Sequence, residues 1–301
     1  MSRQSDYFVM FNPSSGRGTG ARRVESFLPR LQERLGPVDY RLTEYAGHET
    51  DVMDEAIAAG YPTIIAAGGD GTWSAAANRI MHSGRNDVML GLLPAGTGND
   101  FGKSIGVRSD RVPQIIDAIA ERRTRTIDVG RVGDRYFLNV VGMGFDIAVI
   151  DDAARTPLLK GDLLYRVCAL KQLFRFPGLP LTVRDASGAG ERAPHLMLVI
   201  SNANYFGGSF HIAPNASLDD GLLDAVSILD AGPLERARLF STVSNGRHER
   251  EEKVSIRQDH RFSVEFPGES IRYEIDGEVL EWSGGPLTVE SVPSALTVVA
   301  P

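Results

Sequence analysis

Over the first 130 residues, short apolar runs alternate with segments whose apolar positions recur at helical spacing. Tyr7-Phe8-Val9-Met10-Phe11 reads as a buried strand closed by the turn signal Asn12-Pro13-Ser14-Ser15-Gly16. Val24, Phe27, Leu28, Leu31 and Leu35 then lie on one face of a helix over 21–35. Strands follow at Tyr40–Thr43, Thr63–Ala67 and Val88–Leu93, with helices over 49–59 and 72–82 between them. Strand and helix in alternation predict a mostly parallel sheet covered on both faces. After about residue 130 the texture changes. Apolar runs at Tyr136–Val141, His195–Ser201, Ala225–Leu229, Phe262–Phe266 and Leu296–Ala300 are separated by Gly, Pro, Asp and Asn. Helical patterns interrupt them only near 161–175 and 233–244, which predicts an antiparallel, β-rich second domain joined near Gly130-Arg131.

A chain of 301 residues fits two domains. The formal charge of −7 argues against nucleic acid as a partner, since a phosphate backbone favours basic surfaces. It leaves a membrane open, because a local basic patch can act nearby. The single cysteine, Cys168, excludes an internal disulfide and a thiolate metal cage, and a reducing, cytoplasmic setting is expected. No run reaches the roughly 18 apolar residues of a membrane span, and the N-terminal apolar stretch is too short for a signal peptide. Work on a membrane would therefore be done from its surface.

Three glycine-rich loops follow strands of the first half, where ligands of open α/β sheets bind. The first, Asn12 to Gly20, leads into a helix carrying Arg22 and Arg23; its backbone N–H groups and the helix N-terminus suit an anion, and Arg17 and Arg22 could clamp phosphate oxygens. On its own such a loop can equally be a plain turn. The second, Gly68-Gly69-Asp70-Gly71-Thr72, is sharper: three glycines permit close approach of backbone, and one carboxylate stands where phosphate or Mg²⁺ could sit. The third, Pro94 to Phe101, adds Thr97, Asn99 and Asp100. Gly102-Lys103-Ser104 has Thr97 where a Walker A loop needs glycine, so that motif fails. Gly16 to Ala21 satisfies the dinucleotide fingerprint formally, but a dehydrogenase reading leaves the other two loops unexplained.

In order and spacing, these three loops resemble the diacylglycerol kinase catalytic family, which includes bacterial lipid kinases and sphingosine and ceramide kinases. Ile127-Asp128-Val129-Gly130, Asn139 to Asp146, Ser217 to Leu222 and Asp276-Gly277-Glu278 extend the likeness over nearly the whole chain. The resemblance implies an N-terminal α/β domain (1–130) and a C-terminal β-sandwich (131–291), as in NAD kinases and diacylglycerol kinases. It also implies a last strand near 292–301 that returns to the first domain, with ATP bound between the two. It carries Asn12, Pro13, Ser14, Ser15, Gly16, Thr43, Gly69, Asp70, Gly71, Thr72 and Thr97 onto nucleotide contacts. Arg17, Arg22, Asn99, Asp100 and Asp128 fall in the polar network around phosphate and Mg²⁺. Where the family usually has Asn and Glu, this chain has Ser74 and Ala75, and Val279 and Leu280 follow Glu278 in place of smaller residues.

On this resemblance the expected activity is ATP- and Mg²⁺-dependent transfer of a phosphoryl group to a lipid hydroxyl, with diacylglycerol the first candidate on family grounds. Mg²⁺ would bridge the ATP phosphates near Asp70. Asp276 would be the general base and Glu278 its assistant in metal or nucleotide contact. From residues alone, Asp276-Gly277-Glu278 is also an ordinary hairpin turn. A second Mg²⁺ is implied at Asp220 with the carbonyls of Ser217 and Leu222, though Asp219-Asp220-Gly221 could again be a plain turn. Asp224 is expected to face solvent, the six histidines to be structural or exposed, and Cys168 to be core. Leu163, Val167, Leu170 and Phe174 share a helical face flanked by Lys160, Arg166, Lys171 and Arg175. That pattern suits either core packing or transient docking on the inner membrane surface. A homodimer stays open. The rival readings are an NAD kinase-like enzyme acting on a soluble substrate and a catalytically silent nucleotide-binding regulator.

Overall fold

The computed structural model describes residues 5–16, 20–155, 161–208, 210–243 and 246–301. The first half runs β1 (Tyr7–Phe11), α1 (Gly20–Leu35), β2 (Asp39–Leu42), α2 (His48–Ala58), β3 (Thr63–Gly68), α3 (Asp70–Ser83), β4 (Met89–Pro94), α4 (Asp100–Ser104) and α5 (Val112–Ala120). Its strands pair in parallel in the order β4-β3-β1-β2. β3 is buried at all six positions, as befits an apolar run with no alternation inside a sheet covered on both faces. Trp73 of α3 is fully buried beneath the sheet and donates its indole N–H to the Ala66 carbonyl at 3.1 Å, which fixes the helix directly behind the second glycine loop.

The second half is antiparallel. It contains β5 (Thr124–Val132), β6 (Arg135–Phe137), β7 (Val140–Gly144), α6 (Phe145–Ala154), α7 (Gly161–Arg175), β8 (Leu179–Arg184) and β9 (Arg192–Ser201). It continues with β10 (Leu223–Leu229), α8 (Pro233–Val243), β11 (Val254–Asp259), β12 (Arg261–Glu265), β13 (Ser270–Ile275), β14 (Glu278–Ser283) and β15 (Leu287–Val299). Strand β15 bridges the halves. Its first part pairs antiparallel with β12, and both its parts pair antiparallel with β5 on either side of an irregularity between Val292 and Leu296. Thr297 and Val298 pair in parallel with Met89 and Leu90 of β4. Three apolar cores result: one around the parallel sheet, one inside the β-rich half, and one where β9 and β10 meet α6, α7 and α8. In the second of these, Gly130 sits opposite Phe137, and a Cβ there would fall 1.9 Å from the Phe137 ring, so only glycine admits that aromatic.

Two expectations change. The single run Tyr136–Val141 is two strands, broken at Leu138-Asn139, whose N–H groups turn away from the ladder to a side chain. Asp224 does not face solvent: it is 2% exposed on β10, which is flanked by β9 and β11. Burial pushes its carboxyl up to about 6, and Gln258 is its hydrogen-bond partner at 3.4 Å. Cys168 is buried, as are His195 and His248, and the other histidines are partly or fully exposed. No helix among the described residues is long and apolar enough to cross a membrane.

Candidate active site

The carboxyl ends of β1, β3 and β4 bring the three glycine loops together. Asn12 is the tie at their centre: its Nδ2 donates to Glu49 Oε1 at 2.9 Å and to Thr72 Oγ1 at 3.0 Å, and its Oδ1 accepts the Ser14 N–H at 3.0 Å. Ser15 Oγ donates to the Asn12 carbonyl at 2.8 Å, and Gly16 turns the chain with φ 62°. Thr43, buried at the end of β2, donates its N–H to Phe11. Pro13 is half-buried, and Ser14 and Arg22 are exposed. Arg17 lies outside the described residues. Arg23, rather than Arg22, reaches the third loop, with Nη1 3.1 Å from the Pro94 carbonyl.

The second and third loops touch backbone to backbone. A Cβ on Gly96 would lie 2.6 Å from the Gly69 Cα, and one on Gly98 3.1 Å from Asp70 Oδ2. Glycine is required here because two chains approach more closely than any side chain allows. Asn99 closes the third loop in the left-handed region at φ 50° and donates to the Gly96 carbonyl at 3.0 Å; its buried Oδ1 has no partner. Thr97 is exposed at the loop's tip. Asp70 opens α3, and its Oδ1 accepts the Phe101 N–H at 3.2 Å. Burial, together with the nearby carboxylates of Asp100 and Asp276, pushes the Asp70 carboxyl up to about 6. The N-terminus of α3, with Gly71 open to space in front of it, is suited to an anion.

Opposite this face stands the β13–β14 turn. Asp276 adopts φ 47° and accepts three backbone N–H groups: Leu138 on Oδ2 at 2.8 Å, Asn139 and Val140 on Oδ1 at 2.9 and 3.1 Å. Its own N–H donates to Val140 O at 3.1 Å. Desolvation raises its carboxyl pKa, opposed by these three bonds and by the Ser74 hydroxyl. Ser74, a departure from the family pattern, is thus a neighbour of Asp276. A cavity of about 610 Å³ lies between the two faces, lined by Gly47, Gly71, Ser74, Asn78, Asp276 and Glu278 among others. Glu278 sits on its rim, held bidentately by Arg135 at 2.7 and 3.1 Å. Asn78 joins the walls by accepting the Tyr136 N–H and donating to the Tyr136 carbonyl, at 2.9 and 2.7 Å.

Asp100 and Asp128 are brought near this site but are occupied structurally. Asp100 is gripped by Lys103 at 2.7 Å and accepts the Gly208 N–H at 2.7 Å, which ties α4 to the β-rich half. Asp128, 1% exposed, accepts the N–H groups of Gly221 and Ser294, each at 2.7 Å. It pins the Ser217–Leu222 turn to the kink in β15, where Ser294 is left-handed. In that turn Asp220 is exposed and accepts the Leu222 N–H at 2.9 Å, and Ser217 donates to Asp219 at 2.7 Å. No cluster of three or more His, Cys, Asp or Glu side chains suited to a metal occurs among the described residues. The donor set at Asp70 nevertheless fits a divalent cation that arrives with a polyphosphate: the buried Asp70 carboxyl, crowded by the negative charges of Asp100 and Asp276, and an unpartnered amide oxygen on Asn99 are oxygen donors of the kind such a cation takes. Asn78 and Glu49 escaped the sequence reading, because isolated polar residues carry no periodic or spacing signal; Asn139 enters it only as the start of a family-like stretch and Lys103 only within the failed Walker A test.

A crevice between an α/β half and a β-rich half, with a helix N-terminus facing a carboxylate, suits a phosphotransferase of the kinase type, and the family matches give that class. The chain belongs to the diacylglycerol kinase family: residues 6–132 match the diacylglycerol kinase catalytic domain, and residues 139–300 match the YegS C-terminal NAD kinase beta sandwich-like domain. It is 31% identical over 299 residues to a diacylglycerol kinase of Mycobacterium tuberculosis, covering 97% of this chain and 94% of that one. It is 27% identical to a diacylglycerol kinase of Bacillus subtilis, covering 90% and 88%. A crystal structure of a diacylglycerol kinase from Bacillus anthracis superposes with a TM-score of 0.77 at 22% identity, covering 99% of this chain and 98% of that one. Yeast NADH kinase complexed with NADH shares the fold more distantly, with a TM-score of 0.51 at 10% identity over 100% and 88% of the chains. The NAD kinase-like, two-part architecture expected from the sequence is the one found.

Proposed function

We propose that this chain transfers the γ-phosphate of ATP to the hydroxyl of a membrane lipid, with diacylglycerol the first substrate to test. The observation that supports this most strongly is Asp276 facing the Asp70 loop across the crevice. The glycine loops and the N-terminus of α3 hold the polyphosphate through backbone N–H groups. Asp276 receives the proton of the lipid hydroxyl as that oxygen attacks phosphorus. A carboxylate has about four lone-pair sites; three on Asp276 are filled by backbone N–H groups, and the lipid hydroxyl takes the fourth in place of the Ser74 hydroxyl, which fixes the direction from which it comes. Raised by desolvation, the carboxylate is also a better proton acceptor than an exposed aspartate. Mg²⁺, when bound with the nucleotide near Asp70, supplies charge neutralisation for the transferring group. Asp220 with the carbonyls of Ser217 and Leu222 would hold a second Mg²⁺, remote from the nucleotide.

Substrate access is assigned to the outer face of α7. Val167, Leu170 and Phe174 are 42%, 60% and 66% exposed there, while Cys168 and Leu173 face the third core, so the apolar stripe points away from the protein interior. Lys160 lies outside the described residues, as do the side chains of Leu163 and Arg166. Exposed Arg175 adds positive charge beside the stripe, which suits transient association with anionic lipid at the inner face of a membrane. Lys171 is less free than the sequence suggested, because Asp152 holds it. Phosphorylation of an NAD-type substrate in place of any lipid, in parallel assays with labelled ATP, would refute the proposal.

A further inference from the structure

Behind Asp276, on the same strand, Glu274 is 7% exposed, and its Oε1 accepts the N–H of Gly277 at 3.0 Å. It lies opposite Gly142 of β7 in the strand register. Over that glycine sits a second carboxyl group. A Cβ on Gly142 would meet Asp146 Oδ2 at 2.8 Å and Glu274 Cβ at 3.9 Å, so the glycine opens the space in which the two acids meet. Both Asp146 oxygens are sealed from solvent and find no hydrogen-bond donor in good geometry. Neither acid takes part in the chemistry proposed above.

Two buried carboxyl groups in contact cannot both ionise; one keeps a proton and donates it to the other. We propose that Glu274 and Asp146 share one proton at neutral pH and together act as positioning residues, holding the Asp276-Gly277 corner so that Asp276 faces the crevice. This rests on the reading of Asp276 as the base. The N-terminus of α6 favours the charge on Asp146, which leaves the proton on Glu274. Glu274 then donates to Asp146 and accepts from Gly277, while Asp276 stays left-handed at φ 47°.

Burial raises both pKa values, and repulsion from Asp146 and from Asp276 raises that of Glu274 further. Among the other charged groups around the pair, Asp151 of α6 is neutralised by Arg272 of β13, Glu278 of β14 by Arg135, and β7 carries no titratable residue. Loss of the shared proton at alkaline pH sets two negative charges against each other and loosens the corner.

The test combines ¹³C-carboxyl NMR of the whole chain with kinetics across pH. At pH 7 one glutamate carboxyl is expected to show the shift of the protonated acid and to vanish in E274Q. E274Q and D146N replace the shared proton by a fixed amide N–H. They are expected to keep kcat within about threefold and to hold activity about one pH unit further into alkali than the parent chain. E274A is expected to lose about tenfold or more in kcat with KM for ATP almost unchanged. A fully ionised Glu274 at pH 7, or an E274Q chain as impaired as E274A, overturns the proposal. Should E274A not fold, the alkaline profiles of E274Q and D146N decide. Should the chain phosphorylate no lipid, the Asp276 carboxyl resonance decides instead: its titration must move in E274A and stay in E274Q, and the reverse refutes the pair.

Discussion

Asp70, which the proposed function places beside the nucleotide's cation, is a buried carboxyl that costs the fold stability once it ionises. Its carboxyl is pushed from 3.8 up to about 6 by burial and by the negative charges of Asp100 and Asp276. A group whose pKa is raised in the folded state favours folding below its unfolded value, and that contribution is lost as pH rises through the folded value. Wild type therefore loses stability from this residue between about pH 4 and pH 6 and carries the full cost above that. A shift of about two pH units corresponds to at most about 3 kcal/mol. Asp70→Asn keeps an acceptor for the Phe101 N–H and removes the charge. The variant is expected to be more stable than wild type by roughly 1–3 kcal/mol at pH 8, about 5 °C in melting temperature at the upper end for a chain of this size. Near pH 4 the difference should vanish. Activity should fall by about two orders of magnitude or more, since the negative charge that would hold the cation of the transferring group is gone. Thermal melts of ligand-free wild type and Asp70→Asn from pH 4 to pH 8 make the comparison. A variant less stable than wild type at pH 8, or a gain independent of pH, would refute the reasoning.

Further outcomes follow from the same geometry. Asp276→Asn should lower turnover by about 10²–10⁴-fold while ATP still binds, and should cost some stability because its single amide oxygen can serve Asn139 and Val140 but leaves the Leu138 N–H facing an NH₂ group. Asp276→Ala should lower the melting temperature further, because the Leu138, Asn139 and Val140 N–H groups all lose their acceptor at about 1–3 kcal/mol for each group left buried and unpaired. Arg236, 5% exposed, pairs with Asp230 and bonds the Leu173 and Phe176 carbonyls at the end of α7; Arg236→Ala should cost about 3–5 kcal/mol in urea unfolding. Leu170→Glu with Phe174→Glu should abolish sedimentation with anionic vesicles while leaving the fold intact by circular dichroism, and unchanged vesicle binding removes α7 as the docking face. Gly96→Ala should reduce nucleotide affinity by about tenfold or more, measured by calorimetry, because its Cβ forces the second and third loops apart.

Much of the α/β half was legible because its strands and helices are each long enough to repeat a period. The helix expected over 21–35 spans Gly20–Leu35, and that over 72–82 spans Asp70–Ser83. α4 was not, since five residues make little more than one turn; α6 was masked by the apolar strand running straight into it. β13 and β14 were missed because their polar-rich alternation resembles loop sequence, although Ile271, Tyr273 and Ile275 are buried in register. The glycine loops were readable because close backbone approach permits one residue type. The support of Asp276 by Leu138, Asn139 and Val140 was not, because a carboxylate that binds backbone N–H groups leaves no trace in the partner residues' identity. Asp224 misled for a related reason: a lone acid in a strand suggests solvent, and its burial depends on which strands flank it.

The measurement bearing most directly on the central claim is incubation of the chain with γ-labelled ATP, Mg²⁺ and a whole-lipid extract, alongside the Asp276→Asn variant, with labelled products identified by mass spectrometry. A lipid that gains one phosphate with the parent chain and almost none with Asp276→Asn is the expected result. Equal labelling by both chains, or label found only on a soluble nucleotide, would contradict it.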